Sequence, residues 1–300
     1  MAMTKNSDLF IYVLNKRPSE PGINEWIHQW PPEHGDMSVA VYDEAKSYFL
    51  RISNYADFVI ANDRRQIGVW APPTTSLETL RHLLLDQVLP RVLAHPGRLV
   101  LHGGAVKIGD EAIAFVGETG SGKSTLTASF HAASYPPLSD DCLIITGTEN
   151  GVLCQPTYPC IRLWPDAISN LYAQEPKVAP MAHYSNKQRL ILDIGDKYKS
   201  LQSPLTAIYL LAPEPLTKDI SIFHKRLSPA EACIEIIRNS FQLDPTDSLL
   251  GAAILEEASN IAETVPLFAL YYKRDYSLIS DVIKYIVDTL FLSNGAQANN

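Results

Sequence analysis

Residues Gly117-Glu118-Thr119-Gly120-Ser121-Gly122-Lys123-Ser124 fit the pattern G-x-x-x-x-G-K-S/T in full. The chemistry of that pattern is the binding of nucleotide phosphates. Glycines let the backbone curl so that successive amides point inward at phosphate oxygens. The helix that begins here adds its positive end. Lys123 is expected to reach the β and γ phosphates, the Ser124 hydroxyl to hold magnesium, and Thr125 to extend the binding stretch. ATP and Mg2+ are therefore the expected cofactors, although the residues alone do not separate ATP from ADP or pyrophosphate as donor.

A second group of chemically capable residues follows in Pro136-Pro137-Leu138-Ser139-Asp140-Asp141, which runs into the apolar strand 142–146. In a regular strand neighbouring side chains point to opposite faces, so two aspartates could not share one site. Where a strand begins the backbone is irregular, and both can converge on the nucleotide. One carboxylate then holds magnesium while the other takes a proton from an acceptor hydroxyl. Two solvated aspartates in a turn are the plainer alternative. Asp193, which ends the apolar run 190–192, competes for the metal role. His102 follows the strand-like 99–101 and precedes Gly103-Gly104; alone it reads as an ordinary turn histidine.

The elements that must position these groups divide near residue 96. Before it lie strand-like runs at 10–14, 48–52, 57–61 and 66–70, the last two flanking a hairpin turn at 62–65. The stretch 17–35, rich in Pro, Gly and Trp, reads as loop. Thr75 and Glu78 resemble a capping box, and Leu77, Leu80, Leu84 and Val88 form one apolar helical stripe that Pro90 should bend or end. After the break at His95-Pro96-Gly97, strand and helix patterns alternate. Strands are expected at 98–102, 112–116, 142–146, 190–194, 207–211 and 267–271, and helices at 123–133, 229–239, 247–262 and 276–291. The expected organisation is a small β-rich domain with a Leu-rich helix at 1–96, a nucleotide domain at 97–292, and a frayed polar tail at 293–300. The fold class is α/β.

Composition narrows the function. The 300 residues are 46% hydrophobic and 19% charged, an ordinary globular balance. The formal net charge of -8 and scattered Lys and Arg give no reason to bind nucleic acid. No apolar run is long enough to span a membrane and no export segment opens the chain, so a cytoplasmic protein is expected. Cys142, Cys154, Cys160 and Cys233 lack metal-ligand spacing and read as free thiols in a reducing compartment.

His102-Gly103, the loop through Ser124, and Asp140-Asp141, in that order, resemble the catalytic domain of HPr kinase/phosphorylase, whose fold is similar to the nucleotide core of phosphoenolpyruvate carboxykinase. The resemblance covers about 100–165. It implies that Asp140 is the base, Asp141 the magnesium-side carboxylate, and His102 the group that hydrogen-bonds and tunes the base. This chain has Cys160-Ile161-Arg162-Leu163 where the family has Glu-Ile-Arg-Gly. Arg162 is thus kept as a phosphate or acceptor contact, without the glutamate. Lys187 and Arg189 could replace the charges of the family's later basic loop. The first ninety-odd residues look more like those of stand-alone HPr-kinase-like proteins, including lasso-peptide precursor kinases, whose acceptor is a serine hydroxyl, often C-terminal.

The implied function is an ATP-dependent kinase acting on a serine of a peptide or protein. Alternatives are a kinase for free serine and a nucleotide sensor without transfer. Assembly is open, a homo-oligomer included.

Overall fold

The computed structural model describes residues 9–30, 36–42, 46–95, 97–192, 202–213 and 222–297, with side chains as far as residue 290. The chain is mixed α/β with a β-rich N-terminal region. It forms two compact units: one of residues 1–96 with 182–185 and 242–252, the other of 97–181, 186–241 and 253–300. No helix among the described residues is long and apolar enough to cross a membrane.

The first unit is built on six strands: β1 (Phe10–Val13), β2 (Trp26–Gln29), β3 (Met37–Val41), β4 (Tyr48–Ile52), β5 (Ala56–Ile60) and β6 (Gln66–Trp70). Strands β2 to β6 form an antiparallel meander, and β1 adds to β6 in parallel. Met37, Val39, Leu50, Ile52, Phe58 and Ile60 fill one face of this sheet beneath Leu83, Val88 and Val92. Strand β2 falls in the stretch expected to be loop. Its alternation is hidden by the surrounding Pro and Gly, and it is held by pairing with β3 and by Trp26 edge-on to Phe49 at 5.8 Å.

The helix after β6 differs from expectation at both ends. Its N-cap is Ser76, whose hydroxyl accepts from the Thr79 amide at 3.3 Å, while Thr75 donates its hydroxyl to the Tyr55 carbonyl at 2.7 Å. Helix α1 (Leu77–Leu83) widens into a π-helical segment (Leu84–Val88) and continues as α2 (Leu89–Ala94). Pro90 therefore does not end the helix. It sits in the first turn of α2, where its missing N–H costs little, and the extra residue of the π turn lies just ahead of it.

After α2 the chain forms β7 (Leu99–Leu101), β8 (Gly103–Ile108), β9 (Glu111–Val116), α3 (Lys123–Ala132), β10 (Pro137–Ser139), β11 (Leu143–Thr148) and β12 (Gly151–Gln155). There follow β13 (Cys160–Leu163), α4 (Pro165–Leu171), β14 (Val178–Ala182), β15 (Ser185–Ile191), β16 (Ser203–Leu211), β17 (Phe223–Arg226), α5 (Pro229–Arg238), α6 (Ser248–Thr264), β18 (Leu267–Tyr271) and α7 (Ile279–Gln297). The large sheet runs β10-β8-β9-β16-β12-β11-β7. Strand β16 pairs along one side with β9. On the other side it pairs with β12 at its start and with β18 at its end.

Alternation along these strands separates two cores. Ala112, Ala114 and Val116 face one, with α5 and α6 residues Ile236, Ala258 and Ile261. Ile113 and Phe115 face the other, with Leu126 and Phe130 of α3 and Val282 and Ile286 of α7. A small sheet, β13-β15-β14, packs Ile161, Leu163 and Leu190 against Ala128 of α3 and Ile168 of α4.

The strand expected at 98–102 is β7; His102 joins it to β8, which was not expected. The strand expected at 190–194 is β15, which begins earlier, at Ser185, and ends at Ile191. Asp193 lies outside the described residues. Helix α7 runs on to Gln297, past residue 293 where a frayed tail was expected. Cys142, Cys154 and Cys160 are buried free thiols and Cys233 is half-buried.

Candidate active site

The parallel strands β9, β16 and β18 deliver their carboxyl ends together, with Val116 beside Leu210 and Leu211 beside Leu270. Open α/β sheets bind ligands outside such strand ends. Directly after β9, residues 117–122 form a loop that ends in α3. Gly117 and Gly122 have φ of 142° and 96°, a region that side chains resist. A Cβ on Gly117 would also lie 3.1 Å from the Ser121 hydroxyl and 3.2 Å from the Leu211 carbonyl oxygen. Gly122 is the N-cap of α3, so the loop's left-handed turn and the helix start are one structure.

Lys123, 5% exposed, folds its ammonium back onto the loop and donates to the carbonyls of Gly117 at 2.7 Å and Glu118 at 2.9 Å. Burial pushes its pKa down to about 8, against the opposing pull of the Asp140 charge. The Ser121 hydroxyl is buried without a hydrogen-bond partner among the described residues. A buried ammonium held only by carbonyls, an idle hydroxyl and a helix N-terminus at one place fit a phosphate group. Glu118, Thr119 and Gly120 are exposed at the loop's tip, and Ser124 and Thr125 are half-buried in the first turn of α3. Of the latter pair, Thr125 gives its carbonyl to the Ser129 hydroxyl at 2.7 Å.

Asp140 and Asp141 lie between β10 and β11. Asp141 has φ of 73°, which breaks strand alternation at this point. Both carboxylates consequently meet the same residue. Asp140, fully buried, accepts from the Arg162 amide at 2.8 Å and has the Arg162 Nε at 3.9 Å. The Arg162 Nη2 pairs with Asp141 Oδ2, and Asp141 Oδ1 lies 3.1 Å from His102 Nε2. The Tyr158 hydroxyl donates to the Asp140 carbonyl at 3.3 Å.

His102 was expected to hydrogen-bond the base, Asp140. Its Nε2 lies 3.1 Å from Oδ1 of the neighbouring Asp141. Continued one step, the antiparallel register with Leu143 opposite Leu101 puts Cys142 opposite His102, one residue from Asp141. Magnesium was expected at Ser124 and Asp141. Both Asp141 oxygens are engaged, one by His102 and one by Arg162, and a guanidinium on a carboxylate opposes a metal cation there.

Arg162 stands opposite Arg189 in the small sheet, and Lys187 shares their face. Burial lowers the Lys187 pKa, and the neighbouring Arg162 charge lowers it further. Its ammonium lies 5.4 Å from the centre of the Trp164 ring. Arg189 is buried and donates to the Cys160 sulfur at 3.1 Å.

Two residues with no sequence signal also border the loop. Asn239, at the C-terminal end of α5, accepts the Gly117 N–H on its Oδ1 at 3.0 Å and the His102 N–H on its carbonyl at 2.7 Å. Arg274 donates to the Ala212 carbonyl at 2.7 Å, lies 4.1 Å from the Tyr272 ring centre, and passes 3.9 Å from where a Cβ on Gly122 would sit. In the sequence the first is only a helix stop and the second one of many scattered cations.

No family model matches the sequence, and no curated protein matches it. Among solved structures, the Hpr(Ser) kinase/phosphatase from Coxiella burnetii is similar over 67% of this chain and 95% of its own, at 10% identity and a TM-score of 0.38.

Proposed function

We propose that the chain is an ATP-dependent phosphotransferase of the HPr-kinase-like type, acting on a serine hydroxyl of a peptide or protein. The observation that carries the reading is the loop 117–122 at the carboxyl end of β9, with the buried Lys123 ammonium within electrostatic reach of Asp140. ATP would supply the phosphoryl group. The loop amides and Lys123 bind and neutralise its phosphates. Asp140 takes the proton from the acceptor hydroxyl. Arg162, which contacts both carboxylates, would hold the transferred group's charge, and Asp141 beside His102 would orient it.

Free serine as acceptor is the nearest alternative within the same chemistry. Engagement of both carboxylates by Arg162 specifically favours a second class, a protein that binds nucleotide and transfers nothing. The deciding experiment offers labelled ATP with magnesium to serine-terminated peptides, free serine and HPr, with Asp140→Asn as control. Label on a peptide serine, absent in the variant, is the expected outcome. Label on free serine alone moves the assignment to a small-molecule kinase, and tight ATP binding with no label anywhere moves it to a sensor.

A further inference from the structure

Asn239 makes contacts that its place at a helix end does not require. Its backbone N–H and its side-chain Nδ2 both donate to the Glu235 carbonyl, the latter at 2.8 Å, so the residue is tied to the last turn of α5. That turn is in turn fixed to β7. The Phe241 N–H donates to the Val100 carbonyl at 2.8 Å, Ser240 bridges Leu101, and the Phe241 ring lies 5.8 Å from that of His102. From this anchored position the Asn239 carboxamide accepts the Gly117 N–H, and its carbonyl accepts the His102 N–H. Gly117 is the residue at which the chain leaves β9 for the loop, in a backbone conformation open to glycine but one of several it can adopt. A hydrogen bond at that amide removes the freedom the loop would otherwise lose on meeting a ligand.

We infer that Asn239 is a positioning residue that holds the phosphate loop in its binding form before nucleotide arrives, and that it fixes the loop and His102 from one helix end. The side chain serves the loop and the backbone serves the histidine. Side-chain substitution therefore separates the two. Truncation to alanine frees the Gly117 amide and leaves the His102 contact. The predicted signature is a loss confined to nucleotide affinity. This rests on the nucleotide reading of the loop given above.

The test is a titration of full-length protein with a fluorescent ATP analogue and magnesium, comparing wild type, Asn239→Ala, Ser240→Ala and Lys123→Ala. Ser240→Ala removes a hydroxyl bond to Ile237 in the same turn, at 2.7 Å, without touching the loop, and controls for general loosening of the helix end. Expected is a dissociation constant raised about tenfold in Asn239→Ala, the size of one hydrogen bond, and unchanged in Ser240→Ala. Equal affinity in wild type and Asn239→Ala, with binding lost in Lys123→Ala, overturns the role of Asn239 and leaves the nucleotide reading standing. No binding by wild type overturns both. Should Asn239→Ala not fold, hydrogen exchange of the Gly117 amide in unliganded wild type decides: protection is expected, and exchange at the open-chain rate removes the inference.

Discussion

At the scale of single residues, Lys123 is the group whose surroundings make the sharpest demand. Its pKa of about 8 in the fold lies below the ordinary 10.5, because burial disfavours the ammonium. Between those two values the unfolded chain binds the proton more readily than the fold does, so this group makes the unliganded protein more stable as pH rises through that window. Phosphate binding runs the other way, since it needs the ammonium. ATP affinity is expected to hold below about pH 8 and to fall above it, and a titration across pH 6.5 to 9.5 would register a flat profile as a failure of this assignment (a range set by the Lys123 pKa of about 8). Lys123→Ala should weaken ATP binding by roughly two orders of magnitude, the worth of charge-assisted hydrogen bonds. Asp140→Asn should keep the affinity and abolish transfer, measured by isothermal titration alongside phosphopeptide formation. Loss of affinity in that variant would show Asp140 to support the loop instead of the acceptor.

The carboxylates illustrate what a sequence can and cannot convey at this scale. That the backbone departs from strand geometry at Asp140-Asp141 is legible in the two carboxylates and the prolines before them, and Asp141 has a φ of 73°. Which of the two meets His102 is not legible. That depends on the register of β11 against β7, a pairing between segments about forty residues apart that no local pattern encodes.

At the scale of elements, the same limit recurs. Strand β9, helix α3 and strand β18 are plain from apolar runs and a glycine-rich turn. Strand β2 is short and wrapped in Pro and Gly, and the π segment before Pro90 changes no residue type, so neither leaves a periodic trace. Close approach between elements is equally silent. A Cβ on Gly104 of β8 would stand 2.2 Å from the Thr127 hydroxyl oxygen of α3, and that hydroxyl is buried with no hydrogen-bond partner among the described residues. Gly104→Ala is therefore expected to destabilise by about 1–3 kcal/mol, the usual cost of overpacking. Adding Thr127→Ala should recover most of it. Urea denaturation of the single and double variants measures the coupling, and purely additive losses would mean that α3 shifts to make room.

At the scale of the whole molecule, the compact units do not follow the linear chain. Residues 242–252 belong to the unit otherwise made of residues 1–96, and Leu243, 1% exposed, joins the core of Leu50, Phe58 and Val88. Asp244 takes the Tyr48 hydroxyl at 3.1 Å. Leu243→Ala should cost about 2–5 kcal/mol despite its distance in sequence from that core. Calorimetry would detect it as a lowered melting temperature with the near-ultraviolet signal of the N-terminal aromatics lost first. A loss below about 1 kcal/mol would place Leu243 outside that core.

Strand β16 sits between β9 on one side and β12 and β18 on the other, and this arrangement bears on how the protein is made. Ribosomes add about 5–20 residues per second. The loop at 117–122 emerges with β9, but Tyr272 and Arg274, which border it, and β18, which places them, come roughly 150 residues later, about 8–30 seconds at that pace. Until then the nascent chain carries the 117–122 loop with one side unbordered. The surroundings of the loop are thus expected to form only once β18 has been made and has closed the sheet beside it.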